Sequence, residues 1–149
     1  MTSKRKTPTP LPAGNKAPTL CHLTDLHFDA RNPRFGPTET PFKDETKVLD
    51  YIVETFGVED VLSSLAVNGY FESEPLIGIK EAGKEGIHIL EGNRRLAACL
   101  ILDRDPRSKN QKRRREYYGI IHSKHDNKPV NPVPVFVFEG PTASRDLLP

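Results

Sequence analysis

In Gly86-Ile87-His88-Ile89-Leu90-Glu91-Gly92-Asn93-Arg94-Arg95-Leu96-Ala97-Ala98 a strand pattern becomes a helix pattern within two residues. The apolar run at 87–90 reads as a strand, and Leu96, Ala97, Leu100 and Ile101 recur at the spacing of one inward face of a helix over 93–102. A chain that turns this sharply from strand to helix must pack that helix back against the sheet. Gly92 permits a tight turn that a side chain would block. Asn93 is a favoured N-cap residue and is expected to cap the helix. The first turn of such a helix presents unpaired amides and the positive end of the helix dipole, a geometry that takes anions and phosphates in particular.

Arg94 and Arg95 fall in that first turn. Cations there are unfavourable unless an anion compensates them, and a guanidinium suits forked hydrogen bonds to phosphate oxygens. Two readings stay open: a phosphate as the compensating anion, or pairing with nearby carboxylates such as Glu91.

The remaining segments supply the layers around this junction. Residues 1–19 hold four basic residues, no acids and scattered Pro, Thr and Gly, which suits a mobile basic arm. Leu23, Leu26 and Phe28 suit a short strand, and Asn32-Pro33-Arg34 a turn. Val48, Leu49, Ile52, Val53 and Phe56 share one face of a helix over 46–56 that Gly57 stops. Val58, Val61, Leu62, Leu65 and Ala66 make a second stripe, ended by Asn68-Gly69. Residues 76–79, led by Pro75, form an expected hairpin with 87–90. Residues 104–115 carry seven basic residues against Asp105 alone. A last strand, apolar on both faces, runs over 133–138, and 142–145 would start a further helix. The expected class is α+β, with three or more helices beside a small mixed sheet. The expected division is a basic arm over 1–19, one domain over 20–140 with the basic segment 104–128 inside it, and a tail over 141–149.

Composition narrows the function classes. The formal net charge of the 149 residues is +2, so a nucleic-acid surface has to come from local clustering. No apolar run approaches the ~20 residues of a membrane span, and no secretory signal is evident. Cys21 and Cys99 make no disulfide framework, so two reduced thiols in a cytoplasmic protein are expected.

The run Glu91-Gly92-Asn93-Arg94-Arg95-Leu96-Ala97-Ala98 resembles the Gly-Glu-Arg-Arg box of the ParB/sulfiredoxin-like superfamily, in particular the ParB-type N-terminal domain. Four further stretches are similar to that family in the same order: Asn32-Pro33-Arg34, Val61 through Gly69, Pro75-Leu76-Ile77 and Val133-Pro134-Val135-Phe136-Val137. Together they span 20–140. The resemblance implies that fold and a cleft for a nucleoside triphosphate, CTP or ATP, with Mg²⁺. By position, Gly92, Asn93, Arg94 and Arg95 would hold phosphates, and Arg34, Ser64 and Gly69 would line the same cleft. One departure matters. The family's Glu after the Gly, associated with the metal and with hydrolysis, is Asn93 here, and Glu91 is the nearest replacement as metal ligand or catalytic group. An amide carries no charge to hold Mg²⁺, so binding survives the change more easily than turnover. Sulfiredoxin chemistry is set aside, because it needs a cysteine in the Gly-rich turn.

Three functional readings follow: a nucleotide-binding switch or slow NTPase in DNA-related processes such as partition or defence; a metal-dependent nuclease or nickase on the same scaffold; and a non-catalytic nucleic-acid adaptor. For the last, Lys112, Arg113, Arg114 and Arg115 would meet phosphates and Tyr117 would stack on bases. No helix-turn-helix reader is evident, and a homodimer is open. His22 and His27 flank a strand and His122 and His125 are placed in a polar loop, with no zinc pattern, so no zinc is expected. His88 reads as a sheet residue that could reach the cleft.

Overall fold

The computed structural model describes residues 17–29 and 44–140. The expected turn at Asn32-Pro33-Arg34, the helix start at 142–145 and all but the end of the basic arm lie outside those residues. The fold is α+β. Strands β1 (Thr19–Cys21), β2 (Leu26–Phe28), β3 (Leu76–Lys80), β4 (Ile87–Glu91) and β5 (Val133–Glu139) form one mixed sheet in the order β1-β5-β3-β4-β2. Helices α1 (Glu45–Phe56), α2 (Glu59–Asn68), α3 (Asn93–Leu102) and α4 (Lys112–Lys124) complete the described elements.

The N-terminal strand is two strands. Thr19, expected in the arm, pairs with Val135, and a 3₁₀ turn at Leu23–Asp25 separates β1 from β2. These two strands are the opposite edges of the sheet, yet only residues 22–25 join them. Four flat inter-strand steps would span about 19 Å, whereas five residues reach at most about 17 Å even when fully extended. The sheet is therefore curled, with its edges drawn together. The β3–β4 pair is antiparallel, as the short link predicts.

One face of the sheet carries the core. Leu76, Ile89, Val133 and Val135 are fully buried, while their alternate neighbours Ile77, Ile79, Phe136 and Phe138 are half-buried on the other face. Helix α3 is the centre of the molecule. Every residue from Leu96 to Leu102 is buried, including Ala98, Cys99 and Leu102, which a one-faced pattern would leave outside. It packs against α1, α2, α4 and β3, so it is apolar all round.

The cap of α3 differs from the sequence reading. Gly92, not Asn93, is the N-cap, with φ 102°, and a Cβ there would collide with the Leu76 side chain. The turn comes one residue earlier because only glycine adopts that backbone and fits against β3. Asn93 is the first helical residue, and its Nδ2 donates to the Ile89 carbonyl (3.2 Å).

The basic stretch resolves into a 3₁₀ turn at Pro106–Ser108 and α4. His122 lies in the last turn of α4 and not in a loop, whereas His125 is the C-cap, at the start of the exposed turn that follows. No helix of the described residues is long and apolar enough to cross a membrane.

Candidate functional site

At the β4–α3 junction the backbone turns at Gly92 and no side chain caps α3. The helix has no acidic residue in its first turn. The first helical bond runs from the Leu96 amide to the Gly92 carbonyl (2.9 Å), so the amides before it face the junction with only the positive helix end around them. Glu91, Gly92, Asn93, Arg94 and Arg95, with Val61 of α2 and Pro75 before β3, line a cavity of about 250 Å³. The Glu91 carboxylate has no ion-pair partner among the described residues, and the Asn93 Oδ1 is buried without a hydrogen-bond partner.

The two arginines take separate partners. Arg94 donates from Nε to the Gly57 carbonyl (2.9 Å) and from Nη2 to Asp60 Oδ1 (2.6 Å). Arg95 donates from Nη1 to the Glu74 carbonyl (3.3 Å), with Nη2 3.8 Å from Glu74 Oε1. The compensating carboxylates are thus Asp60 and Glu74, and Glu91 is not one of them. The Asp60 and Glu74 side chains are 71% and 55% exposed, so both pairs are solvent-screened and contribute little to stability.

Ser64, half-buried on α2, is not among the residues lining the cavity. Gly69 lines a different one, of about 350 Å³, shared with Tyr70, Pro132 and Pro134. Its local role is to end α2: φ is 73°, its amide donates to the Leu65 carbonyl (2.8 Å), and a Cβ would crowd Lys128 at 2.8 Å. Arg34 lies outside the described residues.

The basic run divides by role. Arg114 donates from Nε to Glu59 Oε2 (2.7 Å) and from Nη1 to Gln111 Oε1 (3.0 Å). The Arg114 guanidinium holds the Glu59 carboxyl below its usual range. Arg115 donates from Nη2 to the Arg104 carbonyl (2.9 Å). Lys112 and Arg113 are exposed and paired with no described residue. Tyr117 is 63% exposed and meets the buried Tyr118 edge to face, with ring centroids 4.9 Å apart. Of the five expected contacts, three therefore face solvent and two hold the helix in place.

Sequence reading missed a second constellation. Arg107, counted only among the basic residues, has a side chain just 16% exposed. It donates to both Asp105 oxygens (Nε at 2.9 Å, Nη2 at 3.1 Å), to Glu45 Oε1 (2.9 Å) and to the carbonyls of Leu23 (2.9 Å) and Leu26 (2.7 Å). Glu45 also binds His27 Nδ1 (2.7 Å) and the Phe28 amide (3.2 Å). Burial pushes the Glu45 carboxyl up, but the bonds from His27 and Arg107 outweigh it and hold the group below its ordinary value. Asp105 is lowered in the same way, the Arg107 bonds outweighing its burial. His88 pairs with His27 across β2 and β4, with rings 5.4 Å apart. Burial and the neighbouring His27 push His88 below its ordinary value. His88 does not line the cavity at Gly92. The signal available in sequence was the pair Asp105-Pro106-Arg107, an N-cap acid and a base two residues apart; its distant partner Glu45 left none.

Among the described residues, no group of three or more His, Cys, Asp or Glu side chains is placed to hold a metal ion. Compared with protein-family models, curated proteins and solved structures, the chain shows no match to any of the three.

Proposed function

We propose that the chain is a nucleotide-binding domain of ParB-like type, taking the triphosphate of CTP or ATP at the Gly92 turn. The observation that carries this reading is the cavity itself: an uncapped helix start, a glycine turn and two arginines border the same space. The ordered resemblance across 20–140 supports it. Gly92 lets the backbone approach the phosphates, the free amides of α3 donate to them, and Arg94 and Arg95 neutralise them. Ser64, Gly69 and Arg34 carry no part of this reading.

Glu91 would be the protein's carboxylate for Mg²⁺, which arrives on the phosphates and keeps much of its water. One carboxylate and the Asn93 amide suit a metal brought by the ligand, not one held by the protein alone. Bound there, Mg²⁺ would offset phosphate charge. Turnover is expected to be slow or absent, since Asn93 replaces the family's acid. The same shortage of carboxylates weighs against the nickase reading.

Calorimetry with CTP, ATP and GTP plus Mg²⁺, on wild type and Arg95→Ala, tests the proposal. Heat with one nucleotide, lost in the variant, is expected. No heat with any of them would overturn it.

The exposed Lys112, Arg113 and Tyr117 favour a second role for the start of α4, as a nucleic-acid contact. This accords with a DNA-related process such as partition or defence and would persist as the adaptor function if the cavity bound no nucleotide.

A further inference from the structure

Both arginines of the box are already occupied. Arg94 spends its Nε and Nη2 on the Gly57 carbonyl and Asp60, and Arg95 reaches the carbonyl and carboxylate of Glu74. These acids come from different elements, Asp60 from the first turn of α2 and Glu74 from the turn before β3. The cavity is lined by Val61, next to Asp60, by Pro75, next to Glu74, and by both arginines. Each pair is exposed, so neither is strong enough to hold its arginine against a multiply charged ligand.

We propose that Asp60 and Glu74 are built-in competitors for the anion of this pocket: each carboxylate holds one arginine until a polyphosphate displaces it. The proposal rests on the phosphate reading above and adds the regulation of that site. Displacement has a structural consequence. Arg94 also holds the carbonyl of Gly57, the residue that ends α1, so its turn toward the cavity releases the α1–α2 joint from α3. Arg95 releases the Glu74 carbonyl, which keeps its bond from the Tyr70 hydroxyl (2.7 Å). Ligand binding therefore loosens the α1–α2 side more than the turn before β3. The first turn of α2 also links the pocket to α4, because Glu59, beside Asp60, binds Arg114.

The test is calorimetry with inorganic tripolyphosphate, without metal, at low salt, on wild type, Asp60→Asn, Glu74→Gln and Glu72→Gln. Glu72 is exposed on the same turn as Glu74 and has no ion-pair partner among the described residues, so its variant measures the general effect of losing a negative charge. Asp60→Asn and Glu74→Gln should each tighten binding about two- to fivefold, the range an exposed ion pair opposes, and the double variant should multiply the gains. Glu72→Gln should change affinity less than either. Glu74→Gln lies outside any helix, so it tests the idea even if Asp60→Asn frays α2. If tripolyphosphate binds wild type but the two variants bind no tighter, or Glu72→Gln tightens binding as much, the competitor idea fails and the phosphate site stands. If it binds neither wild type nor any variant, both fail.

Discussion

Arg107 carries more of the structure than any other charged residue described. One guanidinium ties Asp105, Glu45 and two carbonyls, and through Glu45 it reaches His27 and the Phe28 amide. Replacing it with Met leaves two carboxylates largely buried without their cation, a change that costs about 3 kcal/mol in comparable sites. Urea unfolding of Arg107→Met should show that loss. Gly92 is the second residue whose identity is dictated by its surroundings. Gly92→Ala forces a Cβ into Leu76 at a backbone angle that disfavours side chains, and should cost about 1–3 kcal/mol by the same measurement. Arg94 and Arg95 behave differently: their pairs are exposed, so Arg95→Ala should lose ligand while leaving the unfolding midpoint nearly unchanged. How these residues read in sequence follows from the range of their partners. Gly92 was legible because its turn is a local constraint, although its fit against Leu76 is not. Arg107 was not, because Glu45 lies 62 residues away.

Among the elements, α3 and α4 stand at opposite extremes. The ends of α3 were legible from its apolar content and the preceding glycine, and its burial explains why: seven consecutive buried residues leave no polar face to confuse the pattern. Leu100→Ala should cost about 2–5 kcal/mol, measured by denaturant unfolding. Helix α4 has no such stripe. It buries Tyr118 alone and opens with four cations at the end where cations are unfavourable. What keeps it there is tertiary: α4 packs against α2 and α3 through buried Tyr118 and half-buried Ile121, with Arg114 on Glu59 and Arg115 on the Arg104 carbonyl beside them. The two exposed cations, paired with no described residue, are available to a partner. If α4 touches nucleic acid, Lys112→Gln with Arg113→Gln should lower the slope of log affinity against log salt by about two, one per lost phosphate contact, without altering the melting temperature. An unchanged slope would remove α4 from the interface.

For the whole molecule, the paired acids set the pH response. Glu45 and Asp105 have folded values below their unfolded ones, so their stabilisation is present above the unfolded values near pH 4 and is lost as pH falls through the folded values. His88 is also lowered, but for a base this means that the folded state resists protonation. Its penalty begins as pH falls below the unfolded value near 6.5 and grows down to the folded one. Stability should therefore be flat only between about pH 7 and pH 8, decline slightly below about pH 6.5 and fall steeply below about pH 4. Thermal melts across pH should show both steps, and His88→Gln should remove the first and keep the second.

The amino-acid pattern alone determined which segments become helices α1, α2 and α3 and strands β3, β4 and β5, because apolar spacing and glycine stops act within a few residues. It also marked the Gly92 turn and the two arginines as one place. It did not determine that β1 and β2 are opposite edges of a curled sheet, that Asp60 and Glu74 take the arginines, or that Arg107 is a buried hub. Those depend on which distant residues arrive at a given point in space, and only the packed chain decides that.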